Sequence, residues 1–200
     1  MPLESAIERS HRWMVECAAL VDGVTFETTN RLRVAVSLLH LCIEHQTGIH
    51  TLVDHGVIGS AFALFRPQFE SYVRGVWYHR CATEEHVTSF LVGTEPPRIA
   101  VLIQALEALP AFDAGSLSAM KKETWRNLND FTHGGMVQVK ARNSRDEVAS
   151  NYKHEHIAGL LESSATFSLL GAVGIAAAVN SDSLALELES AFKRVYERVA

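Results

Sequence analysis

One stretch decides the fold of this chain: Trp125-Arg126-Asn127-Leu128-Asn129-Asp130-Phe131-Thr132-His133-Gly134-Gly135. It crowds polar and charged side chains into the last two turns of a predicted helix and then ends that helix with two glycines. Arg126 and His133 are seven residues apart, so they lie within roughly 20° of each other on the helix surface. The helix, called the motif helix below, also has a mostly apolar face at helical spacing, formed by Leu117, Met120, Thr124, Leu128 and Phe131.

Composition indicates one folded domain over residues 1–200. The chain is 48% hydrophobic and 20% charged, which is typical of a globular protein and not of a disordered one. Its net charge of −5 argues against a protein that coats nucleic acid non-specifically. Residues 121–145 nevertheless hold six basic and two acidic residues, a local balance of +4. This segment indicates either an anionic ligand or an ordinary solvated loop.

Helical periodicity predicts an all-α bundle of about six or seven helices, with one long loop at about residues 134–151. A long helix over roughly 30–54 precedes a second one over about 58–82, and N-terminal helices over 4–54 are expected to pack on the rest. Within the loop, residues 136–140 alternate in polarity like a strand but have no obvious partner strand. Long loops in compact domains are usually functional or disordered.

The predicted helix 58–82 has two contrasting sides. Its aromatic positions, including Phe65 and Phe69, are typical of a core stripe. Arg66, Glu70 and Arg74 follow one another at i,i+4 spacing on another side. Such a row is usually a surface ion-pair ladder of little energetic weight, and it would matter if it faced the motif helix.

Histidines and cysteines do not indicate a metal site, and no cofactor is predicted. His40, His45, His50 and His55 are spaced by five, and steps of five rotate the side chains about 140° around a helix, so they cannot converge on one ion. The three cysteines are odd in number and far apart, which is typical of reduced core residues in a cytoplasmic protein. No secretory signal pattern is visible at the N-terminus.

The segment from Ser163 to Asn180 is almost uncharged and rich in small residues. It is short for a membrane span, follows Glu162 by one residue, and lacks flanking basic anchors, so we expect no membrane insertion. Small residues there favour close approach of another helix, either in the core or at the interface of a homodimer.

Arg126, followed by Asn127 and, after six intervening residues counted from Arg126, by His133 (Arg-Asn-five residues-His), resembles the signature of the HEPN superfamily. Arg66-Pro67-x-x-Glu70 together with Thr132-His133-Gly134-Gly135 is also similar to uncharacterised bacterial all-helical proteins of the abortive-infection type. The resemblance covers roughly residues 58–180. It implies a helical bundle that dimerises so that two motifs share one cleft, cleavage of RNA without a metal in a toxin or phage-defence setting, and an antitoxin-type protein partner.

The resemblance also implies roles for individual side chains. His133 would exchange a proton with the ribose 2′-hydroxyl or the leaving oxygen, Arg126 would stabilise the phosphate, and Asn127 would orient them. Asn129 could assist these three. The wider substrate-binding set comprises Arg66, Glu70, Arg74, Lys140 and Arg142, with Arg145 adding to the attraction for the RNA backbone.

Two other classes of protein fit the same residues. One is a non-enzymatic helical module whose Arg/His face binds a nucleotide, another anionic ligand or a partner protein, or holds a dimer together. The other is a small-molecule enzyme with a pocket between the helix 58–82 and the motif helix, in which Glu70 is the base and Trp77 forms a wall.

Overall fold

A computed structural model describes residues 2–110, 112–113 and 115–196, with the side chain of Thr124 outside the described part. The fold is all-α, as predicted, but the prediction of six or seven helices is too low, because the described residues form nine. The helices are α1 (Leu3–Val21), α2 (Asn30–Asp54), α3 (Ile58–Arg80), α4 (Glu84–Leu91), α5 (Ile99–Glu107), α6 (Ser116–His133), α7 (Met136–Lys140), α8 (His154–Ala178) and α9 (Asp182–Tyr196).

Local signals in the sequence explain where several helices begin and end. The Thr29 side chain accepts a hydrogen bond from the backbone N–H of Leu32 and caps α2. Thr83 and His86 form a reciprocal capping box at the start of α4. Gly134 follows α6 with φ 67°, a left-handed conformation that glycine adopts without a steric penalty. The motif helix therefore ends at its first glycine.

The centre of the core is the crossing of α2, α3 and α8, where glycines let the helices approach closely. The Leu39 side chain on α2 lies against Gly75 of α3 and Gly174 of α8, and the Leu39 carbonyl oxygen lies against Gly171. A Cβ atom at Gly75 would lie 2.7 Å from Leu39 Cγ, so no larger residue fits there without a shift. The small residues of α8 thus serve packing within the chain.

Helix α8 is long and apolar enough to cross a membrane by length and composition, and it is the one helix in the described part that meets this test. However, 56% of its apolar window is buried against other helices of the chain. Buried core helices of globular proteins have the same composition, so this finding does not define a span.

A buried polar network lies inside the same crossing. The Gln68 amide nitrogen donates to the carbonyl oxygens of Cys42 and Ser164, at 3.1 and 2.9 Å. The Ser164 hydroxyl donates in return to Gln68 Oε1 at 2.8 Å. Gln68 and Ser164 are 0% and 1% exposed, so these bonds replace the water that both side chains lose on folding.

The segment predicted as a long loop at about 134–151 is partly helical, which corrects the prediction. Its strand-like residues 136–140 form the single-turn helix α7, and a lone antiparallel bridge joins Asn143 to Val148. The Asp130 carboxylate accepts the N–H of Val137 at 3.1 Å and so caps α7. Gln138 then donates to the carbonyl oxygens of Gly59 and Phe131. A helix forms because Asp130, only seven residues before Val137, supplies this cap, whereas a strand would need a partner strand.

Candidate functional site

Helix α6 packs against α3 along its residues Trp125, Leu128 and Asn129. Leu128 is buried, and Trp125 and Asn129 are half-buried. These positions share one side of the helix because they are three or four residues apart. Trp125 also meets Phe69 of α3 edge-on, with ring centroids 6.1 Å apart. The polar end of α6 is thereby held over the Arg66–Glu70–Arg74 row of α3.

Arg66 is the centre of the polar contacts between the two helices. Its Nε donates to Glu70 Oε1 at 2.9 Å, and its Nη1 donates to Asn129 Oδ1 at 2.5 Å. The same Nη1 lies 3.2 Å from Nε2 of His133, and the guanidinium carbon stands 4.7 Å from the centre of the Trp125 ring. We call Arg66, Glu70, Asn129, His133 and Trp125 the Arg66 cluster.

His133 is the exposed member of the Arg66 cluster. A guanidinium can only donate hydrogen bonds, so Nε2 of His133 acts as the acceptor and the ring carries its proton on Nδ1 in this arrangement. A neutral imidazole with an accessible acceptor nitrogen can take a proton from a hydroxyl group. The cluster therefore combines a cation and a proton acceptor 3.2 Å apart at the protein surface.

Glu70 connects the cluster to Arg74. Its second oxygen, Oε2, accepts from Arg74 Nη2 at 3.0 Å, so one carboxylate bridges two guanidinium groups. The Glu70 side chain is 19% exposed and the two arginines are 23% and 37% exposed, which places the row at the edge of the helix pair. The sequence predicts that this row matters only if it faces the motif helix, and in the structure the row does face that helix.

Arg126 and Asn127 lie outside the Arg66 cluster. Both are exposed, and Asn127 lies roughly 160° around the helix from Asn129, away from α3. Arg126 lines a cleft of about 610 Å³ between α5 and α6 with Lys122 and Asp130, and no hydrogen bond or ion pair joins it to another described residue. The histidine's neighbour is Arg66, and the catalytic roles of Arg126 and Asn127 stay predictions.

The basic residues after α6 lie further from the cluster. Lys140 is exposed at the end of α7, and Arg145 is exposed in the turn closed by the Asn143–Val148 bridge. The Arg142 guanidinium lies beside Gly59 near the start of α3, seven residues and roughly 10 Å along the helix from Arg66. These side chains can contribute to attraction of an anion, but they do not contact the cluster.

Trp77, predicted to form a wall of a pocket beside Glu70, lies elsewhere in the structure. Trp77 is 5% exposed and packs edge-on against Tyr78 and His86, so it forms no wall beside Glu70. The aromatic ring at the site is Trp125, which also has the Lys121 ammonium 5.2 Å from its centre. The spacing of four between Lys121 and Trp125 on a helix is the signal that could have identified it.

A second, larger cleft opens beside the cluster, between α3, the segment 93–98 and α6. It measures about 730 Å³, and Arg66, Arg74, Arg98, Lys121 and Trp125 contribute to its lining. We call it the α3–α6 cleft. Arg98 and Lys121 were not among the residues predicted to bind a substrate, because they belong to different predicted helices and become neighbours only through the fold.

Among the described residues, no group of three or more His, Cys, Asp or Glu side chains is arranged to hold a metal ion. Fold and site together define an all-helical protein with a charged, arginine-centred cluster on its surface. The chain belongs to a family of unknown function, DUF6988, whose model matches residues 39–198. The matched range contains every residue of the Arg66 cluster. No curated protein and no solved structure matches the chain.

Proposed function

We propose that this protein is a HEPN-like, metal-independent endoribonuclease of a toxin or phage-defence type, in which the Arg66 cluster is the reaction site. The observation that supports this proposal is the distance of 3.2 Å between Arg66 Nη1 and His133 Nε2 at an exposed helix end. A cation that holds a phosphate and a base that takes a proton are the two groups that RNA cleavage without a metal requires.

The reaction would begin when a phosphate oxygen replaces His133 as the acceptor for Arg66, which frees Nε2. His133 then takes the proton of the ribose 2′-hydroxyl, and the 2′-oxygen attacks the adjacent phosphorus. The bond from phosphorus to the 5′-oxygen breaks, and that oxygen receives the proton that His133 took, either directly or through water, which returns His133 to its neutral form. The products are a 2′,3′-cyclic phosphate and a free 5′-hydroxyl. Arg66 stabilises the charge that develops on the phosphoryl oxygens.

The surrounding residues would guide the strand. Arg126 lies within roughly 20° of His133 on the surface of α6 and would bind a neighbouring phosphate from the cleft between α5 and α6. Lys140, Arg142 and Arg145 would add long-range attraction. The HEPN resemblance further suggests a cytoplasmic homodimer in which two such sites face each other, and an antitoxin-type protein that covers them.

The second candidate is a non-enzymatic interaction module. It is favoured by the number of contacts that Arg66 already makes inside the chain, to Glu70, Asn129, His133 and Trp125. In that case the cluster would fasten α6 to α3, and the protein would act by binding a partner.

The deciding experiment is cleavage of an end-labelled single-stranded RNA by the purified protein in excess EDTA. We expect wild type to leave cyclic phosphate ends. His133→Ala should lose roughly 10²- to 10⁴-fold in rate, and Arg66→Ala should fall comparably. His154→Ala removes another exposed histidine, on α8, and should cleave like wild type.

Circular dichroism and size-exclusion chromatography on all variants separate the two candidates. A nuclease site predicts folded variants with unchanged oligomeric state and no cleavage. Inert wild type, combined with earlier melting or dissociation of His133→Ala and Arg66→Ala, would refute the nuclease and favour the interaction module.

A further inference from the structure

The α3–α6 cleft is adjacent to the Arg66 cluster, but most of its lining has no role in RNA cleavage. Four of its described lining residues are basic, namely Arg66, Arg74, Arg98 and Lys121, whereas Glu95 is the acidic one. They come from three separate parts of the chain, α3, the segment before α5, and α6. The chain as a whole has a net charge of −5, so this local excess of cations stands out against its background.

The charge of the cleft suits a doubly negative ligand. Glu70, which bridges Arg66 and Arg74, offsets one positive charge, and Glu95 offsets another. Four positive charges less these two leave +2. A phosphate monoester carries about −1.5 to −2 at pH 7, whereas a phosphodiester carries a single negative charge. The balance therefore favours a terminal phosphate group.

Three of the four cations, Arg66, Arg74 and Lys121, are held in place before any ligand arrives. Glu70 fixes Arg66 and Arg74 through both of its oxygens. Trp125 lies 4.7 Å from the Arg66 guanidinium and 5.2 Å from the Lys121 ammonium, both measured to the ring centre. Such pre-organisation reduces the entropy lost when an anion binds.

The start of α5 adds backbone donors to the same cleft. Ile99 and Ala100, the first two residues of this nine-residue helix, line the cleft, and no side-chain hydrogen bond caps the helix there. Their N–H groups belong to the first turn, which has no partner inside the helix. The positive end of the helix dipole thus supplements the four cationic side chains.

An apolar part of the cleft lies beside the charged part. Phe90, Pro96, Pro97 and Ile99 contribute to it, and the volume of about 730 Å³ is in the range of small-molecule sites. The flat ring of Phe90 and the rigid rings of the two prolines can pack against a planar ring. A ligand that fills both parts carries a phosphate and an aromatic group.

We propose that the α3–α6 cleft binds an aromatic phosphate monoester, with the phosphate among Arg74, Arg98 and Lys121 and the ring against Phe90 and the two prolines. This site does not depend on RNA cleavage at His133. The ligand chemistry is shared by a nucleoside 5′-phosphate and by simpler aromatic phosphates, so both belong in the test.

Isothermal titration calorimetry with phenyl phosphate, adenosine 5′-phosphate, inorganic phosphate and adenosine tests the proposal. We expect at least one of the two aromatic monoesters to bind more tightly than inorganic phosphate, and adenosine not to bind. The double variant Arg98→Ala/Lys121→Ala should weaken that binding about tenfold or more, because two charged contacts are lost. The charge-matched control Arg12→Ala/Arg80→Ala removes two arginines outside the cleft and should bind like wild type.

Comparing the two monoesters distinguishes a nucleotide ligand from a simpler aromatic phosphate. Tighter binding of adenosine 5′-phosphate identifies a nucleotide, and equal binding of both monoesters shows that a phenyl group is sufficient. Equal binding of inorganic phosphate and both monoesters would overturn the proposal, as would unchanged affinity in the Arg98/Lys121 variant. His133→Ala should retain the binding, so failure of RNA cleavage and failure of this site are separate results.

Discussion

Helix α3 carries two polar clusters on nearly opposite faces, and the two clusters differ in charge and in burial. Gln68 lies roughly 160° around the helix from both Arg66 and Glu70. On the Gln68 face, a neutral amide and the Ser164 hydroxyl are fully buried and satisfy each other. On the other face, the side chains are charged and remain 19% to 37% exposed.

Because the two faces of α3 differ in burial, we expect the Gln68 face to contribute to stability and the Arg66 face to contribute to binding. A buried neutral network loses all its water on folding, so each missing partner leaves a costly unpaired group. Half-exposed ion pairs keep much of their water, so they contribute little to stability yet remain able to exchange partners. We therefore expect mutations on the Gln68 face to change the free energy of unfolding, and mutations on the Arg66 face to change binding.

The largest effect is expected from Gln68→Ala. It leaves the Ser164 hydroxyl without its acceptor and opens a cavity between α2, α3 and α8, which together should reduce the free energy of unfolding by about 3 kcal/mol. The Cys42 and Ser164 carbonyl oxygens lie inside helices and keep their helical hydrogen bonds. Urea unfolding followed by circular dichroism measures the change.

A paired substitution shows whether polarity or shape accounts for that loss. Gln68→Met/Ser164→Ala removes both polar partners and keeps most of the volume, so it should cost less than about 1.5 kcal/mol. Should the double variant be as unstable as Gln68→Ala, the hydrogen bonds would not be the cause, and the contrast between the two faces of α3 would fail.

The sequence predicts much of this framework because its signals are local. The predicted bounds of 30–54 and 58–82 agree closely with α2 and α3, since the Thr29 cap marks the start of α2 and Gly56 separates the two helices. The Arg66–Glu70–Arg74 row is visible from its spacing alone, and the structure contains both ion pairs. Residues 136–140 are the exception, because the Asp130 side chain that caps their helix cannot be inferred from polarity alternation.

The neighbours of the site residues depend on helix packing, which spacing within one helix does not determine. Arg126 and His133 belong to one motif, yet His133 contacts Arg66, which is 67 residues away in the chain. The α3–α6 cleft likewise joins Arg98, which directly precedes α5, with Lys121 of α6. A sequence pattern identified the chemical groups, and the packing of α6 on α3 determined which of them meet.

An intermediate effect is expected where α1 meets α2, because a buried group there lacks a partner. His50 is 6% exposed, and its Nδ1 has no hydrogen-bond partner among the described residues. Burial, and then nearby His11, lower the pKa of His50 below its usual 6.5, while Asp54 opposes them. The unfolded chain therefore binds a proton more readily. The contribution of neutral, buried His50 to the free energy of unfolding is therefore complete above pH 6.5. It is lost as the pH falls from 6.5 through the lowered pKa of His50 in the folded protein.

The test is the free energy of unfolding of wild type and His50→Phe between pH 8 and pH 5. Wild type should lose stability below about pH 6.5, and His50→Phe should lose less, although His45 and His79, whose pKa values burial also lowers, keep part of the slope. His40→Gln, at an exposed position of α2, is the matched control and should follow wild type. Identical pH profiles for His50→Phe and wild type would exclude His50 as a source of the dependence.

The smallest change in stability, and the sharpest test of the comparison, is expected from Glu70→Gln. The glutamine oxygen can still accept from Arg66, so the free energy of unfolding should change by less than about 1 kcal/mol. Loss of the negative charge that Arg66 and Arg74 share should raise the affinity of the α3–α6 cleft for phenyl phosphate by a factor of about 2 to 10 at low salt. Calorimetry and urea unfolding on the same samples measure both quantities, and Glu95→Gln gives a comparison, because it also removes a carboxylate from the cleft but one that forms no ion pair with a described arginine. A loss of stability as large as that of Gln68→Ala, together with weaker binding, would mean that the charged face of α3 is as structural as the buried one.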